Sequence, residues 1–167
     1  MNGSSSILFI DKGGANDRQC AILALMSTSD DRYLRYESGN LHVIWMDGAV
    51  ALTLGEDTLL LDAPPGVIQH LNEHDLLSSL RTVCCSSGQI ASLGGLLPLL
   101  DEVHRVQSSR FPFTLRAPMG DERPGLLVEA WSRGWPGRVP ISLDGLYPGA
   151  QFEMGSWHVH TYGIELG

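Results

Sequence analysis

Positive charge is scarce in this sequence. Lys12 is the single lysine, and 19 acidic residues against 11 basic ones give a formal net charge of −8. Binding to a nucleic-acid backbone requires a basic face that neutralises phosphates, and no cluster of lysine or arginine occurs along the chain. We therefore expect no nucleic-acid partner.

Cysteines and long apolar runs are also few. The three cysteines are Cys20, Cys84 and Cys85, and an odd number with two adjacent is a poor disulfide framework. Residues 7–10 form an apolar run that is too short for the core of a signal peptide. The longest apolar stretch, residues 93–100, is interrupted by glycine and proline and is too short to span a bilayer. These features predict a cytoplasmic protein without a membrane segment.

The apolar pattern predicts a single α/β domain over residues 1–167. Three β-type runs (residues 41–46, 49–54 and 58–62) are separated by Asp47-Gly48 and by a second glycine turn, which indicates an antiparallel meander. Beyond it, helical patterns from residue 67, over 93–106 and over 121–133 alternate with strands at 81–85 and 111–115. Further strands are predicted at 7–10 and within 151–166, and residues 27–40 are predicted to form a loop. The order is a β-meander followed by β/α alternation.

Three segments in this order carry a family resemblance. They are the strand and turn from Thr58 to Gly66, the strand from Thr82 to Ser87, and the Gly94-Gly95-Leu96 helix start. Together they resemble the N-terminal half of metallo-β-lactamase-fold hydrolases, in which a strand delivers an H-x-H-x-D-H metal loop. The resemblance implies an αββα-type layered fold, of which this chain would form the first half. The Gly88-Gln89-Ile90 core is similar to the D-G-Q-I-D-H loop of the coenzyme PQQ biosynthesis protein B group.

The same resemblance predicts a degenerate metal loop. It places the ligand positions at Ser87, Gln89, Ala91 and Ser92, and none of these is an imidazole, thiolate or carboxylate of the kind that zinc or iron prefers. Asp62 matches the strand-end aspartate that organises the turn and the loop in that family. We therefore assign no catalytic residue, no metal and no cofactor to this loop.

Histidines near the end of the sequence offer the best residual metal site. His158 and His160 alternate along a predicted strand, so they point to the same side. With Asp62 they are the residues that a surviving site would use, although a polar face of an edge strand is the simpler interpretation of the two histidines.

Other residue patterns are better explained by structural roles than by catalysis or ligand binding. His70 and His74 with Glu73 match a zinc-peptidase pattern on a short helix, but a solvated helix end is the simpler interpretation. Adjacent Cys84 and Cys85 are typical of core packing. The glycine turn at residues 11–14 lacks the spacing of a phosphate loop. The tryptophans at positions 131 and 135 indicate packing or part of an interface.

Three functions are compatible with these observations. The first is a non-catalytic protein that acts through binding or assembly, in the biosynthesis of a peptide-derived cofactor or metabolite. The second is a PQQ biosynthesis protein B-like metal enzyme, completed by His158, His160 and a partner subunit. The third is a module that binds peptides at open sheet edges.

The half-fold also predicts a partner. Strand 81–85 and the Leu59–Leu61 run are apolar on both faces, as in a strand that is covered on both sides. A lone sheet would leave one such face exposed. We therefore expect a homodimer, or a partner chain that supplies the second half of the fold. A compact monomer that folds its own strands back over the face is the third alternative.

Overall fold

The computed structural model describes residues 5–12, 20–24, 35–38, 41–107, 112–154 and 157–164. The strands are β1 (Ser5–Lys12), β2 (Cys20–Ala24), β3 (Arg35–Ser38), β4 (Leu41–Met46), β5 (Ala49–Leu54), β6 (Asp57–Leu61), β7 (Leu80–Cys84), β8 (Phe113–Pro118), β9 (Ile141–Leu146), β10 (Gln151–Met154) and β11 (Trp157–Ile164). The helices are α1 (Val67–Glu73), α2 (Ile90–Leu93), α3 (Leu96–Gln107) and α4 (Arg123–Gly134).

The strands form two sheets. A seven-stranded sheet has the order β3-β4-β5-β6-β7-β8-β9, and a four-stranded sheet has the order β10-β11-β1-β2. The meander from β3 to β6 is antiparallel, and the pairs from β6 to β9 are parallel. Parallel neighbours need crossovers, which the helices provide. The predicted α/β class and the order of meander and alternation are confirmed.

Tight turns set the bounds of the meander. Gly48, between β4 and β5, has φ 72°, and Gly55, between β5 and β6, has φ 65°. Glycine adopts this left-handed conformation without a steric penalty, which is why Asp-Gly turns mark hairpins. Strands β4 and β5 therefore have the bounds that the turn signals predicted.

The helices cover one face of the seven-stranded sheet. Alternate strand residues, such as Leu60, Val83 and Leu115, are fully buried against side chains of α1, α3 and α4. Leu99 and Trp131 are two of the large helical side chains in this core. The segment predicted as one helix over residues 93–106 is instead two helices, because the chain bends at Gly94 and Gly95. Among the described residues, no helix has the length and apolar character that a membrane span requires.

The four-stranded sheet covers the other face. Leu52, Leu59 and Cys84 pack in a second core with Met154 of β10 and Val159 of β11, all of them at most 6% exposed. The cover that the apolar strands called for is therefore provided by strands of the same chain, which is the third of the expected alternatives. The homodimer stays a prediction, and the covered face does not support it.

Two strands of the seven-stranded sheet were not predicted. Residues 27–40 were expected to be a loop, yet β3 pairs with β4 within that segment. Strand β9 was missed altogether, although its sequence alternates between apolar and polar residues up to Gly145. Both lie at the edges of the seven-stranded sheet, and the side chains of β9 are at most partly buried, so its hydrophobic signal is weak.

Candidate functional site

The degenerate loop lies at the carboxyl ends of β6 and β7. Ligands of parallel sheets usually bind at this end of the strands. Asp62 follows β6 with a left-handed φ of 61°, and its backbone N–H donates to the carbonyl of Cys84 at 2.9 Å. Its side chain is thereby directed towards the segment that follows β7.

Asp62 holds the start of this loop by two hydrogen bonds. Oδ1 accepts the backbone N–H of Ser86 at 2.7 Å, and Oδ2 accepts the Ser86 hydroxyl at 2.8 Å. Burial raises the pKa of Asp62 above its usual value, and the hydrogen bonds from Ser86 and Ser92 act in the opposite direction. The organising role that the resemblance implied for Asp62 is therefore visible as direct contacts.

Serine hydroxyls fill the interior of the loop. Ser92 Oγ lies 3.1 Å from Ser86 Oγ and 3.0 Å from Ser87 Oγ, and Ser92 is buried. The hydroxyls thus bond to one another and to Asp62 Oδ2. Of the predicted ligand positions, Ser87 and Ser92 meet in this cluster, whereas Gln89 and Ala91 are exposed.

These residues do not fit a transition-metal site. Hydroxyls and a neutral amide are poor ligands for zinc or iron, and alanine has no donor. Among the residues that the structure describes, no group of three or more histidine, cysteine, aspartate or glutamate side chains is placed to hold a metal ion.

A carboxylate from the neighbouring loop closes the site from outside. Asp121, which follows β8, accepts the backbone N–H of Gly88 at 2.9 Å. A Cβ at Gly88 would lie 2.4 Å from Asp121 Oδ2, so the close approach requires glycine. The Arg123 guanidinium holds the pKa of Asp121 at about 2, through contacts of 2.6 and 2.8 Å. Sequence analysis missed Asp121 because it lies far from the loop in sequence and matches no motif.

The two adjacent cysteines are core residues. Cys84 packs between the sheets and Cys85 packs against the helices. Burial raises the pKa of Cys84 to about 12 and raises that of Cys85 as well. A thiol nucleophile needs the opposite shift, so the packing interpretation holds.

The two C-terminal histidines lie on the outer face of the four-stranded sheet. Val159 between them is fully buried in the inter-sheet core, so His158 and His160 face outward. Glu153 of β10 is the register partner of His158, and its Oε1 lies 3.7 Å from His158 Nδ1. The direction of Glu153 could not be predicted from sequence. Asp62 belongs to the other sheet and does not join this pair.

The other candidate residues from the sequence lie in structural contacts or outside the described residues. Helix α1 ends at Glu73, which bonds to Gln69 and lies 3.5 Å from His70, while His74 follows the helix. Trp131 is buried and stacks on Trp135 with centroids 5.2 Å apart, so both act in packing. Of the proposed glycine turn, residues 13 and 14 lie outside the described residues.

No protein-family model matches this sequence, and no curated protein matches it significantly. Solved structures do match. One is the chemotaxis sensor ODP in a peroxy diiron form, with a TM-score of 0.50, 13% identity, and coverage of 75% of this chain and 50% of that chain. Another is the metallo-β-lactamase-fold protein YhfI from Bacillus subtilis, with a TM-score of 0.47, 12% identity, and coverage of 93% and 50%.

A third is zinc-bound PqqB from Methylobacterium extorquens, with a TM-score of 0.44, 23% identity, and coverage of 63% of this chain and 35% of that one. The chain thus spans half or less of the length of these three structures. At such identities the likeness extends to the fold alone. Over the covered part, the chain is similar in fold to the chemotaxis sensor ODP, and its mixed α/β architecture agrees with the layered fold that the resemblance predicted.

Proposed function

We propose that this chain is a non-catalytic protein of the metallo-β-lactamase fold that acts through binding or assembly. The observation that carries the proposal is the hydroxyl cluster of Ser86, Ser87 and Ser92 around Asp62. It occupies the loop where the family resemblance locates the metal ligands. The loop is held by its own hydrogen bonds, so it needs no ion to order it.

The pathway is part of the same proposal. The Gly88-Gln89-Ile90 core resembles the PQQ biosynthesis protein B group, which supports a role in the biosynthesis of a peptide-derived cofactor or metabolite. A single domain over residues 1–167, a cytoplasmic location and a partner chain, either a second copy or the second half of the fold, also remain proposals.

Metal analysis of the intact chain, purified without a chelating column, tests the central claim. After dialysis against zinc, iron(II) or manganese, we expect far less than one metal ion per chain at the loop. The matched variants are Ser87→Ala with Gln89→Ala for the loop and His158→Ala with His160→Ala for the outer sheet face. A stoichiometric metal that the loop variant loses and the sheet variant keeps would refute the proposal.

A second candidate is a metal enzyme whose ligands His158 and His160 are completed by a partner subunit. The 3.7 Å approach of Glu153 to His158 favours it, because a carboxylate from the neighbouring strand joins the pair. In the same dialysis, this candidate predicts a stoichiometric metal that only the His158→Ala and His160→Ala variant loses. If neither histidine affects metal content or activity, this candidate fails.

A further inference from the structure

The seven-stranded sheet ends at β9, and no strand in the described part of the chain pairs with the outer edge of β9. Natural sheets protect such edges with charges, prolines or covering loops, because unpaired backbone groups favour pairing with another chain. The one charged residue within β9 is Asp144, and Arg116 of β8 forms an ion pair with it at 3.0 Å. The edge is therefore close to neutral and weakly protected.

Alternate residues of β9 direct their backbone groups away from β8. The N–H groups of Phe113 and Met119 donate to the carbonyls of Pro140 and Leu146, and the register between them is unbroken. Successive residues of a strand direct their backbone groups to opposite sides. The residues whose N–H and C=O groups point outward are Ile141, Leu143 and Gly145.

Large apolar side chains surround this edge. Leu143 is 44% exposed, Tyr147 is 55% exposed and Met119 is 69% exposed. Met119 lies over Gly145, since a Cβ there would be 2.6 Å from Met119 Cγ. The edge thus combines available hydrogen-bonding groups with apolar surface that a partner strand would bury.

We propose that β9 pairs with β9 of a second copy of this chain, antiparallel and about a two-fold axis at Leu143. The two seven-stranded sheets then form one continuous sheet, with the helices of both copies on the same face. Leu143 lies opposite Leu143 of the second copy, Ile141 lies opposite Gly145, and Ser142 lies opposite Asp144.

Self-complementarity selects a second copy in this register. Each outward N–H group meets an outward carbonyl, and the neutral Ser142 lies opposite the Asp144 carboxylate, so no like charges meet across the pair. A shift by one residue sets outward groups against inward ones. A two-fold axis at Asp144 would instead place like charges directly opposite each other, which is destabilising. The pairing uses no residue of the loop after β7, so the test of the dimer is independent of metal binding at that loop.

Analytical ultracentrifugation of the intact chain tests the proposal. We expect a mass near twice the 18.2 kDa of the chain at tens of micromolar, since a short interface of this kind gives micromolar affinity. Leu143→Lys introduces a charge at the axis and should raise the dissociation constant at least tenfold. Val106→Lys is the matched control, because Val106 is 39% exposed on α3 and lies outside β9; it should stay dimeric.

Hydrogen exchange provides a second measurement that does not depend on a variant. The amides of Leu143 and Gly145 should become protected as the protein concentration rises, whereas exposed amides of α3 should not change. A monomer at all concentrations, or a dimer that Leu143→Lys leaves intact while circular dichroism is unchanged, would overturn the proposal. Protection of β9 only after an unrelated peptide is added would also overturn it, in favour of peptide binding.

Discussion

The loop after β7 and the outer face of the four-stranded sheet differ in where their polar groups find partners. In the loop, Asp62 and the serine hydroxyls bond to one another inside the chain. On the sheet face, Glu153 and His158 are mostly open to solvent, with side chains 75% and 44% exposed. The difference indicates that the loop side chains stabilise the local structure. Changes to the side chains on the sheet face should alter the free energy of unfolding little.

This comparison predicts a gradient of effects. Side chains in the loop form hydrogen bonds to one another and to backbone atoms, so a substitution there disturbs several hydrogen bonds together. Side chains on the sheet face contact solvent and each other, so a substitution there should hardly change the stability of the fold.

The largest effect is expected from Gly95→Ala, which tests how rigid the loop is. Gly95 donates its N–H to the carbonyl of Ala63 at 2.7 Å, and a Cβ there would lie 2.2 Å from the carbonyl oxygen of Pro64. Backbone must move to relieve this clash, so we expect a loss of about 3 kcal/mol in the free energy of unfolding. Gly134→Ala in α4 is the control, because no atom lies within 4 Å of its Cβ position and alanine favours a helix. Equal urea midpoints for both variants would contradict the rigid loop.

Two substitutions of Asp62 separate the contribution of its hydrogen bonds to stability from the contribution of its charge. Asp62→Ala removes both acceptors for Ser86 and places alanine at positive φ, so we expect a loss of about 2 kcal/mol. Asp62→Asn keeps an oxygen for the Ser86 N–H and tolerates the left-handed conformation, so it should lie within about 1 kcal/mol of the parent at neutral pH. Urea denaturation measures both variants.

The pH dependence of Asp62 follows from its raised pKa. The folded state binds this proton more tightly than the unfolded state does, so the contribution of Asp62 to stability is full below the unfolded pKa. It is lost as pH rises through the folded pKa. Asp62→Asn should abolish this component, and an unchanged pH profile would show that Asp62 is not the group responsible.

Asp121→Asn should have a smaller effect with the opposite pH dependence. Because Arg123 holds the pKa of Asp121 at about 2, the stabilisation is present above the unfolded pKa, near 4, and is lost as pH falls towards 2. The parent and the variant should therefore converge in melting temperature at acidic pH. Glu129→Gln, which breaks an exposed pair with Arg133 on α4, is the control and should change little. A difference that persists at the lowest pH would point to a lost contact instead of a lost charge.

The smallest effect is expected on the sheet face. His158→Ala should change the free energy of unfolding by less than about 0.5 kcal/mol, since exposed side chains away from caps and cores contribute little. Thermal melts with and without zinc provide a second measurement. A zinc-dependent rise in the melting temperature that disappears in the variant would identify the sheet face as a metal site. A large loss of stability without metal would mean that the two regions are more alike than their contacts indicate.

Local signals explain what the sequence could predict. Asp47-Gly48 and the apolar runs beside it determined β4 and β5 to the residue, because the turn and the strand period lie within a few residues. Asp121 and the contact between Glu153 and His158 required the fold, since the partners come from separate elements. The sequence left open what covers the second face of the sheet for the same reason, because the covering strands come from distant parts of the chain.

The four-stranded sheet joins the two ends of the sequence. Strand β1 lies between β2 and β11, and its register with β11 runs from Ser5 opposite Ile164 to Lys12 opposite Trp157. During synthesis, β1 leaves the ribosome first but must wait for β11 before its second edge is paired. Pairing at such separation is slow, because loop closure precedes any gain from contacts. The inter-sheet core then closes last, so a chain truncated before β11 would expose the apolar face that Met154 and Val159 cover in the folded protein.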